Sequence, residues 1–134
     1  MANLTDIEGI GTVYGEKLAA AGLKTTDDLL ARGGTRDGRE GIAAETGLTH
    51  DQILEWVNHA DLYRIDGVGS EYADLLEAAG VDSVVELAQR KPDNLVEALM
   101  RANEERQLVR SLPNEAAVTR WVEQAKGLDR AVSH

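Results

Sequence analysis

Cysteine and phenylalanine are absent from this chain, proline occurs twice, and the aromatics amount to three tyrosines and two tryptophans. Without cysteine there are no disulfides, no thiolate metal sites and no thiol nucleophile. No window approaches the roughly 18 consecutive apolar residues of a membrane-spanning helix. The opening residues Met1-Ala2-Asn3-Leu4-Thr5-Asp6 lack the positive charge and apolar run of a signal peptide. These absences lead us to expect a cytoplasmic protein with no membrane partner. Cations are also scarce: 14 Lys and Arg stand against 24 carboxylates, a net charge of −10. Non-specific affinity for duplex DNA comes mostly from cations displacing counterions, so such a chain is repelled by DNA unless its cations gather on one face. Acidity also serves solubility, which asks for no partner at all.

What is plentiful is Ala, Leu and Val, within a hydrophobic share of 43%, enough for a packed core. Such a core with sparse aromatics suits short, closely packed helices better than a β-sandwich. The chain also repeats itself. Ile7-Glu8-Gly9-Ile10-Gly11-Thr12-Val13-Tyr14 and its continuation to Arg32 align without a gap with Ile65-Asp66-Gly67-Val68-Gly69-Ser70-Glu71-Tyr72 and its continuation to Arg90, and ten of the 26 positions are identical. Further on, Ile53-Leu54-Glu55-Trp56-Val57 matches Val118-Thr119-Arg120-Trp121-Val122 at an offset seven residues larger, so the second copy is longer in its middle. The copies run over 5–62 and 63–128, with a C-terminal tail at 129–134. No Gly/Ser or Pro-rich linker lies between them, so they are expected to pack into one compact body.

Within each copy the punctuation marks short helices. Gly9 and Gly11 bracket Ile10 in a tight turn open to positive φ. Tyr14, Leu18 and Ala21 then fall at helical spacing, and Gly22 stands where a helix-terminating glycine belongs. Thr25 with Asp28 reads as a capping box. Copy two repeats this with Gly67 and Gly69, the stripe Tyr72-Leu76-Ala79, Gly80, and Ser83 with Glu86. Thr35 caps a helix ending at Gly47, and Thr49 with Gln52 starts one whose Ile53, Trp56, Val57 and Ala60 form a core stripe. Pro92 and Pro113 each open a further helix, carrying Leu95, Ala98, Leu99 and Ala102, then Val118, Trp121, Val122 and Ala125. No alternating strand pattern stands out, and the expected class is all-α.

The pattern apolar-x-Gly-apolar-Gly, then a small residue and Leu, resembles the helix-hairpin-helix family. It reads Ile7-x-Gly9-Ile10-Gly11-x-x-x-Gly15-x-x-Leu18 and Ile65-x-Gly67-Val68-Gly69-x-x-x-Ala73-x-x-Leu76. The resemblance implies two tandem helix-hairpin-helix, SAM-like repeats. Nearly the whole chain, including Glu55-Trp56-Val57-Asn58-His59-Ala60-Asp61-Leu62, is similar to the uncharacterised bacterial family domain of unknown function 4332. In DNA-binding members of the hairpin family the glycine turn offers backbone N–H groups to a phosphate, at the positive end of the next helix. Carried onto this chain, those contacts are Gly9, Ile10, Gly11 and Thr12, and Gly67, Val68, Gly69 and Ser70. A monovalent cation at a hairpin is the one cofactor that the resemblance implies. The pattern departs where such members carry Lys or Arg: Thr12-Val13-Tyr14 and Ser70-Glu71-Tyr72 hold no cation, while Glu8 and Asp66 sit inside the turns. Lys17, with Arg32, Arg36 and Arg39, are the candidate cationic contacts.

Other chemistry finds little footing. Trp56, Trp121, Tyr14 and Tyr72 sit on apolar stripes and read as core anchors rather than platforms for bases. Glu55 and His59 fall short of a metal's ligand set, so no metal site is expected. There is no nucleophile–base pairing or phosphate-cradling Gly-Lys-Ser loop, and Gly9-x-Gly11 lacks the strand of a dinucleotide fingerprint. Arg101, Arg106 and Arg110 are expected to pair with Glu97, Glu104 and Glu105. The expectation is a non-enzymatic interaction module that binds another protein or itself. The alternative is sequence-independent binding of double-stranded DNA through the two Gly-x-Gly hairpins.

Overall fold

A computed structural model describes residues 3–7 and 9–133. Glu8 of the first turn lies outside the described residues. Eight α-helices account for the described architecture: α1 (Thr12–Ala20), α2 (Thr26–Gly33), α3 (Arg36–Thr46), α4 (His50–Leu62), α5 (Ser70–Ala78), α6 (Val84–Ala88), α7 (Pro92–Arg106) and α8 (Glu115–Lys126). A short 3-10 turn, Leu4–Asp6, precedes them. The one β-type pairing among the described residues is an isolated bridge between Asn3 and Thr25. The all-α expectation therefore stands. Two units divide the chain: Met1–Asp61 with Ala131–His134, and Leu62–Arg130.

In the first unit α2 and α1 both pack on α3. Leu18, Leu29, Ile42, Ile53 and Val57 are buried, one or two from each helix, as the helical spacing requires. Each contributes on the order of 2 kcal/mol by leaving water. The helix starts are set by short polar side chains. Thr25 Oγ1 accepts from Asp28 N while the Asp28 carboxylate accepts from Thr25 N and Lys24 N, all at 3.1–3.2 Å. Thr35 and Thr49 cap α3 and α4 through their hydroxyls, which accept from Gly38 N and Gln52 N. At the end of α1, Leu23 N reaches back to Leu18 O and Gly22 N to Ala19 O.

The second unit packs α6 and α7 on α8, and α5 on α7. Its core gathers Leu76, Leu87, Leu95, Leu99, Val118, Trp121 and Val122, with Tyr63 and Tyr72 packed against it. Ser83 caps α6 and the end of α5 repeats the end of α1, with Val81 N bonded to Leu76 O and Gly80 N to Glu77 O. One detail differs from expectation. Pro113 does not open the last helix: Asn114 is its cap, with Oδ1 accepting from Ala117 N at 2.8 Å, and the proline lies just outside. The extra length of this copy makes α7 longer than α3 and adds the loop Gln107–Pro113. Asn103 holds that loop by donating to Val109 O and accepting from Val109 N.

Candidate functional site

Each copy begins with the same tight turn. Ile10 N donates to Ile7 O, and Val68 N to Ile65 O, both at 3.1 Å. The first glycine of each pair supplies the reversal, with φ at +94° for Gly9 and +95° for Gly67, a conformation that costs a residue with a Cβ. The second glycine does something else. Gly11 and Gly69 are extended N-caps, and a Cβ on either would meet nothing within 4 Å. Nothing in the described fold therefore demands glycine at 11 or 69. Ile10 and Val68 bury their side chains, so these residues can offer a partner only backbone atoms.

The helices that follow the turns have no capping side chain at their N-cap positions. Neither Gly11 nor Gly69 has a side chain to accept from the first N–H groups, whereas α2, α3, α4, α6 and α8 all begin on a hydroxyl or amide cap. The first turn of α1 exposes Thr12 and leaves Val13 65% exposed, while Glu71 stands on α5 at the position of Val13.

Beneath the turns lie the aromatic anchors. Tyr14 and Trp56 approach with ring centroids 5.4 Å apart, and Tyr72 and Trp121 with centroids 5.3 Å apart, both tilted near 50°. Both tryptophans are buried, as the apolar stripes required. Each indole Nε1 sits by the first glycine of its turn: a Cβ on Gly9 would lie 3.8 Å from Trp56 Nε1, and one on Gly67 3.1 Å from Trp121 Nε1. In the second unit Gln124 also grips the turn, its Oε1 accepting from Asp66 N at 2.9 Å and its Nε2 donating to Asp66 O at 3.4 Å.

The four cations singled out from the sequence are not brought together as a contact surface. Arg39 is the clearest correction: it is 1% exposed. Its guanidinium donates to Gly33 O, Gly34 O and Ser133 O, and its Nε to His50 Nε2. Burial, and secondly the nearby Arg36 charge, hold its pKa below the ordinary arginine value. Arg32 donates to Ala21 O at 2.9 Å and pairs with Glu45 at 2.6 Å. Arg90, its counterpart, donates likewise to Gly80 O, so this residue closes the end of the first helix in both copies. Arg36 pairs with Glu40. Lys17 stands exposed and has no ion-pair partner among the described residues. Conversely, Arg101, Arg106 and Arg110 form no ion pair with Glu97, Glu104 or Glu105, contrary to expectation; all six side chains lie in or beside the exposed part of α7 and its loop.

Two features escaped the sequence reading. One is the slot that holds the tail: Ser133 N donates to Gly34 O at 2.8 Å, and a Cβ on Gly34 would collide with the Ala131 carbonyl oxygen. The Gly33-Gly34 pair was its only trace in the sequence. The other is a groove of about 580 Å³ in the second unit, walled by Gly67 and Tyr72, by Leu112 and Pro113, and by Arg120 and Trp121. The seven-residue excess was its signal, because the added loop builds one wall.

What these observations define is an all-helical protein of duplicated units, each opening on a glycine turn that feeds a helix with glycine at its N-cap. The family model described as domain of unknown function (DUF4332) matches residues 8–128, and the chain belongs to that family. No curated protein and no solved structure gives a significant match. Among the described residues no helix is long and apolar enough to cross a membrane.

Proposed function

We propose that this chain is a non-enzymatic interaction module of two helix-hairpin-helix units whose partner is a protein. The carrying observation is the fate of the cations. A DNA-binding face would need Lys17, Arg32, Arg36 and Arg39 at a phosphate, yet Arg39 is enclosed and Arg32 and Arg36 are held by Glu45 and Glu40. With a net charge of −10, what remains at the turns is a set of backbone donors in an acidic frame, beside the exposed Val13. Such a surface suits neutral carbonyl acceptors and apolar side chains better than a dense row of phosphates.

A second reading, duplex DNA gripped through backbone amides, draws on the glycine N-caps of α1 and α5 and on the open space at Gly11 and Gly69. One titration separates the two. A labelled duplex of about 20 base pairs is titrated by fluorescence anisotropy at low and at physiological salt. The protein-partner reading expects no saturable binding at either. Saturable binding that weakens steeply with salt, and that is lost in the double variant Gly11→Glu/Gly69→Glu, would overturn it. Because both positions have negative φ and open surroundings, that variant keeps its fold.

A further inference from the structure

We propose that the groove of the second unit, between its glycine turn and α8, is a docking site for a peptide segment bearing one carboxylate beside an aliphatic side chain. The proposal rests on the protein-binding reading above and deepens it.

Three observations converge on this groove. Trp121 lines the groove, and its indole N–H, which has no acceptor among the described residues, is open to solvent there rather than buried. An N–H that faces the groove can donate to an acceptor on a ligand in place of water. Arg120, one residue earlier on α8, is exposed and forms no ion pair among the described residues. Its planar fork matches a carboxylate in a two-bonded geometry. The opposite wall is apolar: Leu112, one of the exposed large hydrophobic residues, stands next to Pro113. A cation, an indole donor and an aliphatic wall, brought within one groove, call for a carboxylate and an apolar group on one ligand.

The first copy shows what this groove is not required for. At the position of Ala117 it carries Gln52, whose Nε2 donates to Tyr14 Oη at 3.3 Å and so spans the space that alanine leaves open. At the position of Arg120 it carries Glu55. Tyr72 Oη, released from any such amide, donates instead to Ser111 O in the added loop at 3.0 Å. Duplication thus built the same turn, helix and tryptophan twice, but in the second copy a shorter side chain opened the space and the charge changed sign. Asp66 on the rim limits the ligand to a single carboxylate: a run of acids or phosphates would meet it, and the net charge behind it, as like charges.

The test is a nitrogen–proton correlation spectrum of the full chain, which resolves the indole N–H peaks of Trp56 and Trp121. A capped tetrapeptide, alanine-leucine-glutamate-alanine, is titrated in, with glutamine replacing glutamate as control. Saturable movement of the Trp121 peak with Trp56 still, at least about tenfold weaker for the glutamine peptide and for Arg120→Ala, is the expected result. Arg120 is exposed, so its variant keeps the fold, which the unmoved Trp56 peak verifies. An immobile Trp121 peak overturns the proposal, as does equal movement with the control peptide or in Arg120→Ala. Either result leaves the protein-binding reading standing. A DNA duplex that moves both indole peaks would sink that reading as well.

Discussion

The fourth residue of α3 is Arg39 and the fourth residue of α7 is Leu95, and both are buried, at 1% and 0% exposure. In the second unit the leucine joins an apolar cluster with Leu99, Val118 and Val122. In the first, the arginine is enclosed only because three carbonyl oxygens and a histidine nitrogen surround it, one of them delivered by the C-terminal tail. A buried cation is tolerable where neutral acceptors replace its water, and nowhere else. The two units therefore reach the same burial by opposite chemistry, and the tail is what permits it in the first.

The sharpest way to break that contrast is to exchange the residues. Leu95→Arg places a cation in the second unit where no tail supplies acceptors, and a loss of about 5 kcal/mol is expected, enough to unfold that unit. Urea denaturation followed through Trp121, in a Trp56→Phe background, reads it; survival of a cooperative transition would mean that the helix can turn the guanidinium out to water. Arg39→Ala in the first unit strands three carbonyls and leaves a cavity, costing about 3 kcal/mol by the Trp56 signal. An effect under about 1 kcal/mol would show that the tail's bond to Arg39 is dispensable.

Smaller differences between the copies sharpen the comparison further. Gly9→Ala and Gly67→Ala both force a side chain into the left-handed region, but only at Gly67 does the new Cβ crowd Trp121 Nε1. Gly67→Ala should cost about 2 kcal/mol and Gly9→Ala about 1 kcal/mol, so equal melting temperatures for the two variants would contradict the geometry. At the ends of α3 and α7 the roles reverse. Gly47 takes a left-handed φ of +76°, while Gln107 takes +51° without glycine's freedom. Gln107→Gly should raise the stability of the second unit by about 0.5–1 kcal/mol in the same denaturation experiment.

The smallest effect concerns Asp28. Backbone N–H groups of Lys24, then of Thr25, hold its carboxyl below its ordinary pKa of 3.8. A folded-state pKa that is lowered gives stability present above 3.8 and lost as pH falls through the folded value. The difference in melting temperature between the natural chain and Asp28→Ala should therefore be full at neutral pH and close as the pH falls below 3.8 and through the folded value. A gap that persists there would mean that the Asp28 side chain stabilises the helix start without its charge.

The local signals proved legible wherever one residue acts on its own backbone. Thr25, Thr35, Thr49 and Ser83 cap the helices they were expected to cap, and Trp56 and Trp121 anchor the cores their spacing assigned them. The candidate site was less legible. Proximity along the chain groups its cations, but whether Arg39 meets water or carbonyls depends on residues nearly a hundred positions away. Helical spacing brings Arg101, Arg106 and Arg110 near Glu97, Glu104 and Glu105 without making them bond.

By itself, the sequence determined the all-helical class, the duplication and the capped helix starts at Thr25, Thr35, Thr49 and Ser83, because caps, glycines and periodicity act over three or four residues. The tertiary structure alone decided that Arg39 is interior, that only the first glycine of each turn is conformationally required, and that the second unit opens a groove at Arg120 and Trp121. The reason is physical: burial and unmet hydrogen bonds are properties of what surrounds a side chain, and those surroundings are assembled from distant parts of the chain only when it folds.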